Sequence, residues 1–295
     1  MKRILHICAG WEDGNGAAVA ARLIAGEQTR EGDCEVRLRT WASPLELRRA
    51  DEVWIHCAWK PCLWWASLWA KRSIRMAHGS FDPVRLAYHG WKKRLVGAIE
   101  RWTLRRAVRV LATCGAEAEW ISAYEPRAAV ATTDMKRFFR LQRPSVPRVT
   151  DRPWRFLYLG RRHPLKGVQF LEAAVAKLNG SAELRIASGK SRAELEELWR
   201  WADVLWLPTL SDNFGLVVAE ALERGIMVVT TDGAPAWSER DGIKQILGYR
   251  GADAMSKVEM LRATAESLIA RVRSGDEPGL AVRRQVAGAV AATIH

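Results

Sequence analysis

The strongest constraint on this chain is a repeated alternation of short apolar segments, glycine loops and helical stretches. It opens with an apolar strand at residues 3–8. The loop Gly10-Trp11-Glu12-Asp13-Gly14-Asn15-Gly16 follows, and a helix begins near Ala17. Strand, glycine loop and helix in that order begin a βαβ unit. Further strands are predicted at 34–38, 53–57, 74–77 and 109–113, with helical segments between them. Residues 141–153 then hold three prolines and no apolar periodicity, which predicts an interdomain linker. The alternation restarts beyond it: strand 155–159, glycine loop, helix 168–178, strand 183–187, helix 192–202, strand 203–207, helix 215–223 and strand 226–230. Such order calls for parallel sheets covered on both faces. The predicted fold is α/β, with two Rossmann-like domains, 1–148 and 149–295, facing each other across a cleft.

A length of 295 residues suffices for two such domains, and 48% hydrophobic with 27% charged residues is the balance of a globular protein. The first apolar run is short and broken by His6, and no small-residue cleavage site follows it, so a secretory signal is not expected. The most apolar stretch, residues 61–70, is about half the ~20 residues a spanning helix needs. A cytoplasmic location is therefore expected. Five cysteines without a Cys-x-x-Cys pair read as reduced thiols. The net charge of +13 is uneven, with 16 Lys/Arg against 6 Asp/Glu between Lys60 and Arg140. That bias attracts phosphate-rich partners: nucleotide sugars, nucleic acid or an anionic membrane. No helix-turn-helix, RNA-recognition or zinc motif is present, so no specific nucleic-acid partner is expected. Ten of the 15 tryptophans lie in the first 120 residues, which fits a bilayer headgroup zone, a sugar-binding face or a Trp-rich core.

The most informative segment is Leu207-Pro208-Thr209-Leu210-Ser211-Asp212-Asn213-Phe214-Gly215-Leu216-Val217-Val218-Ala219-Glu220. A strand runs into a polar loop, and a glycine opens a helix whose N-terminal amides form an anion site. Asp212 in the loop and Glu220 about two turns into the helix bring two carboxylates toward one cleft. By local physics alone, Asp212 serves equally as a helix cap and Glu220 as a solvent-facing helix residue. Ser188-Gly189-Lys190-Ser191 imitates the end of a P-loop, but Leu184 stands where the phosphate cradle needs glycine. The first loop also lacks the Gly-x-Gly-x-x-Gly spacing of a dinucleotide site.

Asp212-x7-Glu220, within Ser-Asp-Asn-Phe-Gly-Leu-Val-Val-Ala-Glu-Ala-Leu, resembles the Glu-x7-Glu motif of retaining glycosyltransferase family 4, whose fold is GT-B. Gly160-Arg161…Lys166-Gly167 resembles that family's diphosphate motif. His78-Gly79-Ser80-Phe81-Asp82-Pro83 and Trp91-Lys92-Lys93-Arg94-Leu95 resemble members that build bacterial surface polysaccharide and lipopolysaccharide. The resemblance implies a hexosyltransferase-like enzyme moving a sugar from a nucleoside-diphosphate sugar to a lipid-linked or polysaccharide acceptor. It implies that residues 1–148 bind the acceptor and 149–295 the donor. Arg161 and Lys166 would hold the donor diphosphate beside Gly160, and Glu220 the ribose hydroxyls. Asp212 would stand where a Glu contacts the transferred sugar. Asn213, Phe214, Gly215 and Leu216 would cover sugar and phosphates, and His78 would reach the donor sugar. Gly14, Asn15 and Gly16 resemble the acceptor-side loop. In this family the leaving phosphate is thought to deprotonate the acceptor, so no protein nucleophile is required and the carboxylates bind and position. The chain has no Asp-x-Asp, the metal-holding motif of the GT-A glycosyltransferases. No metal and no cofactor are expected.

Residues 91–109 read as a helix with Leu95, Ile99 and Trp102 on one side and Lys92, Lys93, Arg94, Arg101, Arg105 and Arg106 flanking them. One reading is peripheral docking on the cytoplasmic face of the inner membrane. The other is a solvated face over an ordinary core stripe. Two departures from the family stand out. Asp212 replaces the usual Glu, one methylene shorter, and residues 187–203 leave room for one helix where relatives recognise the nucleotide base. These motivate the competing reading of a degenerate, non-catalytic GT-B protein that binds sugar or a protein partner.

Overall fold

The computed structural model describes residues 1–12, 15–88, 90–145 and 152–274. Two compact units emerge. The first is Met1–Phe138 together with Ser211–Leu216 and Ala234–Ala236. The second is Phe139–Leu210, Val217–Gly233 and the described residues from Trp237 onward. The predicted linker lies partly at 146–151, outside the described residues.

The first unit holds six parallel strands: β1 (Lys2–Cys8), β2 (Cys34–Arg39), β3 (Glu52–His56), β4 (Ser73–Met76), β5 (Arg109–Ala112) and β6 (Val130–Thr132). Their order is β2-β1-β3-β4-β5-β6. Between them run α1 (Gly16–Glu31), α2 (Pro44–Arg49), α3 (Pro61–Trp69), α4 (Pro83–Ala87), α5 (Gly90–Arg106) and α6 (Gly115–Tyr124). Three of these helices place proline in the first turn, where its missing N–H has no partner to lose. Leu5 and Ile7 of β1 and Val53 and Ile55 of β3 pack with Leu47, Leu63 and Ala66 on one face of the sheet. The alternate residues, His6, Trp54 and His56, occupy the other face.

The second unit has five parallel strands: β7 (Trp154–Leu159), β8 (Ala182–Ala187), β9 (Val204–Leu207), β10 (Met227–Thr231) and β11 (Lys244–Ile246). They run β11-β10-β9-β7-β8, with α7 (Val168–Ala176), α8 (Arg192–Trp201), α9 (Leu216–Glu223) and α10 (Ala254–Arg273). The nine predicted strands all form, within a residue or two. The two short edge strands β6 and β11 escape the reading because three residues carry no periodic signal. Only α8 occupies the compressed stretch before β9, and Ser191 with Glu194 forms its capping box. That explains the P-loop mimic: Ser191 closes a helix start, and Lys190 pairs with Glu194 at 2.8 Å.

α5 is built inside out. Its buried residues are Glu100, Thr103 and Leu104, while Trp91 (63% exposed), Leu95 (76%), Ile99 (43%) and Trp102 (36%) form a stripe facing solvent. Glu100 meets the buried Arg75 of β4 at 2.5 Å, and Arg75 also donates to Thr103 Oγ1, Ser67 Oγ and the Cys57 carbonyl. The other Glu100 oxygen accepts from the Trp59 amide at 3.0 Å and Trp64 Nε1 at 2.7 Å. With every polar atom of the pair but Arg75 Nε partnered among the described residues, the pair is tolerated in the core and fixes the helix in place. The reading of this segment as a solvated face over an ordinary core stripe is therefore corrected, since the apolar stripe is the outer face.

Candidate active site

Both sheets have the strand order in which a crevice opens at the carboxyl ends of the strands, at the point where the winding direction reverses. In the second unit that point lies between β7 and β9, and the loops leaving these strands carry the diphosphate-like motif and the Leu207-Pro208-Thr209-Leu210 turn. They are stitched together by main chain. The Leu210 amide donates to the Leu165 carbonyl at 2.8 Å, and Thr209 Oγ1 donates to the same oxygen at 3.1 Å. Gly167 adopts φ +67°, and a Cβ there would collide with the Pro208 carbonyl oxygen. Gly233, after β10, is equally confined: a Cβ would strike the Thr209 carbonyl. Thr231 Oγ1 donates to that Thr209 carbonyl and accepts from the Gly233 amide at 3.1 Å. Glycine is required here because three loops touch through their backbones.

Gly160 begins the first of these loops. Arg161 is exposed, and its carbonyl accepts from Tyr158 Oη at 3.0 Å. Lys166 closes a short 3₁₀ turn from Pro164, capped by His163 Nδ1. Glu220 lies on α9, half-buried, and burial raises its carboxyl above the usual carboxylate range. No hydrogen bond to that carboxylate is made among the described residues, unlike those of its neighbours Glu223 and Glu196.

In the first unit the candidates are organised by side chains. The loop 211–216 belongs to this unit, and its Asn213 is 5% exposed. Asn213 Nδ2 donates to Thr113 Oγ1 at 2.6 Å and to Glu117 Oε2 at 2.7 Å. Glu117, at the start of α6, also accepts from the amides of Gly79 (2.5 Å) and Thr113 (2.7 Å). A Cβ on Gly79 would lie 2.6 Å from that of Asn213, so the His78–Gly79 turn rests directly on the loop. Ser211 Oγ donates to Asp82 Oδ2 at 2.6 Å and accepts from Arg85 Nε at 3.0 Å. Asp212 is half-buried between these anchored neighbours. α9 starts at Leu216, four residues later, behind Gly215 at φ +62°, so Asp212 is not the first-turn cap. Phe214 and Gly215 are buried, and Leu216 lies 3.6 Å from a Cβ placed on Gly16.

Asn15 caps α1 through the Ala17 amide and donates Nδ2 to the Gly10 carbonyl at 3.0 Å, which closes the glycine loop. Gly14 lies outside the described residues. His78 holds φ +49°, a left-handed conformation uncommon for a side-chain-bearing residue. Its pKa is lowered to about 4, first by burial and then by Arg85. The His78 ring lies near-coplanar with His56 and hydrogen-bonds it, and His56 in turn bonds His6. The spacing of motifs brought out neither these two histidines nor Glu117, Thr113 and Arg85. The one available signal was His6 interrupting the apolar run Ile4-Leu5-His6-Ile7.

Two family models match the chain: a glycosyl transferase 4-like domain over residues 9–133 and a glycosyl transferases group 1 domain over residues 143–261. Among solved structures, WaaG, a glycosyltransferase involved in lipopolysaccharide biosynthesis, is 13% identical with a TM-score of 0.62. That match covers 92% of this chain and 94% of WaaG. Sucrose-phosphate synthase from Thermosynechococcus elongatus is 13% identical with a TM-score of 0.64, covering 99% of this chain and 100% of that one. Anabaena HepE, solved with UDP and glucose, is 13% identical with a TM-score of 0.61 and 99% coverage of both chains. No curated protein sequence matches. With two parallel-sheet Rossmann-like units and both family domains in order, the chain belongs to the glycosyltransferases of GT-B fold.

Proposed function

We propose that the chain transfers a sugar, with retention, from a nucleoside-diphosphate sugar to a lipid-linked or polysaccharide acceptor in cell-surface polysaccharide or lipopolysaccharide synthesis. One observation carries the reading. The backbone-stitched loops at the β7–β9 switch point set the Gly160–Gly167 motif, with its Arg161 and Lys166 cations, beside the Leu207–Leu210 turn at the carboxyl ends of the strands, where a diphosphate would be received. Arg161 and Lys166 bind the diphosphate, and Glu220 offers a carboxylate with open valences to the ribose hydroxyls. Asp212 and His78 contact the transferred sugar. Asn213 acts through its backbone, because its side chain is committed to Thr113 and Glu117. Breaking the glycosyl–phosphate bond puts negative charge on the departing diphosphate. Fixed cations and amides stabilise that charge as it develops, so no metal ion is invoked.

A thermal-shift panel of UDP-, GDP-, ADP- and TDP-sugars, with and without EDTA, tests this on wild type and Lys166→Ala. At a hundredfold excess over its Kd one donor should stabilise the protein by about 2.7 kcal/mol, insensitive to EDTA and lost in the variant. A flat panel would sink the reading in favour of a protein without a donor site.

The acceptor side rests on α5. Beside its exposed apolar stripe lies a cavity of about 1050 Å³ lined by Trp59, Trp91, Lys93, Arg94, Arg101 and Tyr124, where aromatic faces and cations suit a phosphate-bearing glycolipid. No helix among the described residues is long and apolar enough to cross a membrane. In this reading the exposed stripe, with the cations beside it, docks on an anionic bilayer face. Wild type should sediment with phosphatidylglycerol vesicles and much less with phosphatidylcholine. Leu95→Ser/Ile99→Ser should stay in the supernatant, and equal sedimentation of the two proteins would refute the docking.

A further inference from the structure

A continuous line of polar contacts crosses one face of the first sheet. Gln28 on α1 places Oε1 2.8 Å from His6 Nε2. His6 Nδ1 lies 2.9 Å from His56 Nε2, and His56 Nδ1 lies 3.0 Å from His78 Nε2. The rings lie edge to edge and nearly coplanar in series, with centroids 5.1 and 5.3 Å apart and interplanar angles of 14° and 22°, and the Trp54 ring lies near-parallel to His6 with centroids 5.6 Å apart. His6 and His56 are fully buried. A neutral imidazole donates at one nitrogen and accepts at the other. With the Gln28 amide oxygen turned toward His6, as here, that oxygen accepts, so His6 carries its proton on Nε2 and accepts at Nδ1. His56 must then donate from Nε2 and accept at Nδ1, and His78 must donate from Nε2. The sequence of bonds has one direction, set at its far end. His78 Nδ1 is left with a lone pair and no partner among the described residues.

We infer that His6 and His56, oriented by Gln28, are positioning residues that hold His78 in its Nε2–H form and present an unprotonated Nδ1 to the substrate. This rests on the reading of His78 as a donor-sugar contact. Its consequence is a specificity: the sugar group meeting His78 must donate a hydrogen bond. A hydroxyl is accepted there, and a carboxylate, as in a nucleotide-linked uronate, is repelled by the lone pair. Burial supports the arrangement by keeping all three rings neutral.

The test is the tautomer itself, read by two-bond ¹⁵N–¹H correlation on ¹⁵N-imidazole-labelled full chain near neutral pH. It needs no substrate, so failure of the glycosyl-transfer reading, seen as the flat donor panel, stays distinguishable from failure here. Wild type should show His6, His56 and His78 all protonated at Nε2. Gln28 is only part-buried on its helix, which suits two opposed variants. Gln28→Glu keeps an acceptor and should preserve the pattern. Gln28→Lys supplies only donors and should move most of the His78 population to Nδ1–H. Wild-type His78 protonated at Nδ1, or the same His78 tautomer in both variants, would overturn the inference. A role confined to packing would not make the two variants differ.

Discussion

In the second unit the candidate residues are held by main chain, whereas in the first they are held by side chains. Gly167 and Gly233 let three loops touch carbonyl to glycine around the diphosphate-like motif. Asn213, Thr113, Glu117, Ser211 and Asp82 fasten the loop next to Asp212 through their own amide, hydroxyl and carboxyl groups. Backbone construction suits a ligand part that never varies, because every position offers the same N–H groups. Side-chain construction suits the part that does vary, because the residues themselves set shape and polarity. The difference suits the proposed function, in which the donor diphosphate is constant and the sugar is particular.

Substitution at glycine should break this comparison most severely. Gly167→Ala adds left-handed strain to a backbone collision and should cost about 3 kcal/mol in urea unfolding. Gly180 has a similar φ of +77° with nothing within 4 Å, so Gly180→Ala should cost about 1 kcal/mol. Equal losses at the two positions would mean that the close approach of Gly167 to Pro208 is not what holds the loops.

A smaller effect, graded by pH, should mark the side-chain-built unit alone. His6 and His78 are shifted from 6.5 to about 4, and His56 lies well below its ordinary value, in each case first by burial. The charges bearing on them are Glu52, which favours protonated His6, and Arg85, which opposes protonated His78. Between pH 4 and 6.5 the unfolded chain binds more protons than the folded one. Stability is therefore complete above 6.5 and falls as the pH drops toward 4, by up to about 1.4 kcal/mol per pH unit for each histidine. Urea midpoints from pH 7.5 down to about 5 should show that slope, and His6→Gln should reduce it by one histidine's share. A slope unchanged by His6→Gln would count against a buried neutral ring at that position.

The alternation of elements was legible because parallel strands covered on both faces must be nearly continuous apolar runs, as in Phe156–Leu159 and Val204–Leu207. The Lys166-Gly167 pair leaves a readable mark for a related reason, since a glycine confined by a neighbouring backbone puts a fixed letter in a fixed place. The carboxyl group beneath the His78 turn was not. Glu117 sits in Gly-Ala-Glu-Ala-Glu-Trp, where it looks like any acidic residue in a helix's first turn. Only the return of Asn213, 96 residues later, shows what it receives. Asn15 was read by resemblance as part of an acceptor loop, and in the fold its side chain closes that loop on Gly10. The polarity of α5 was misleading for a different reason. A stripe at helical spacing says that one face is apolar, not which way it faces, and Glu100 turns it outward by finding Arg75 in the neighbouring strand.

That anchoring has an evolutionary consequence. A helix seated by a hydrophobic stripe is conserved along its whole inner length, since every lost methylene loosens it. α5 concentrates the same requirement on Arg75 and Glu100 and the groups that bond them. These two positions can change only together, because either charge left alone in the core is intolerable. Trp91, Leu95, Ile99 and Trp102, on the outer face, are not what seats the helix on the sheet. That leaves the outer face of this helix free to change without endangering the sheet that carries it.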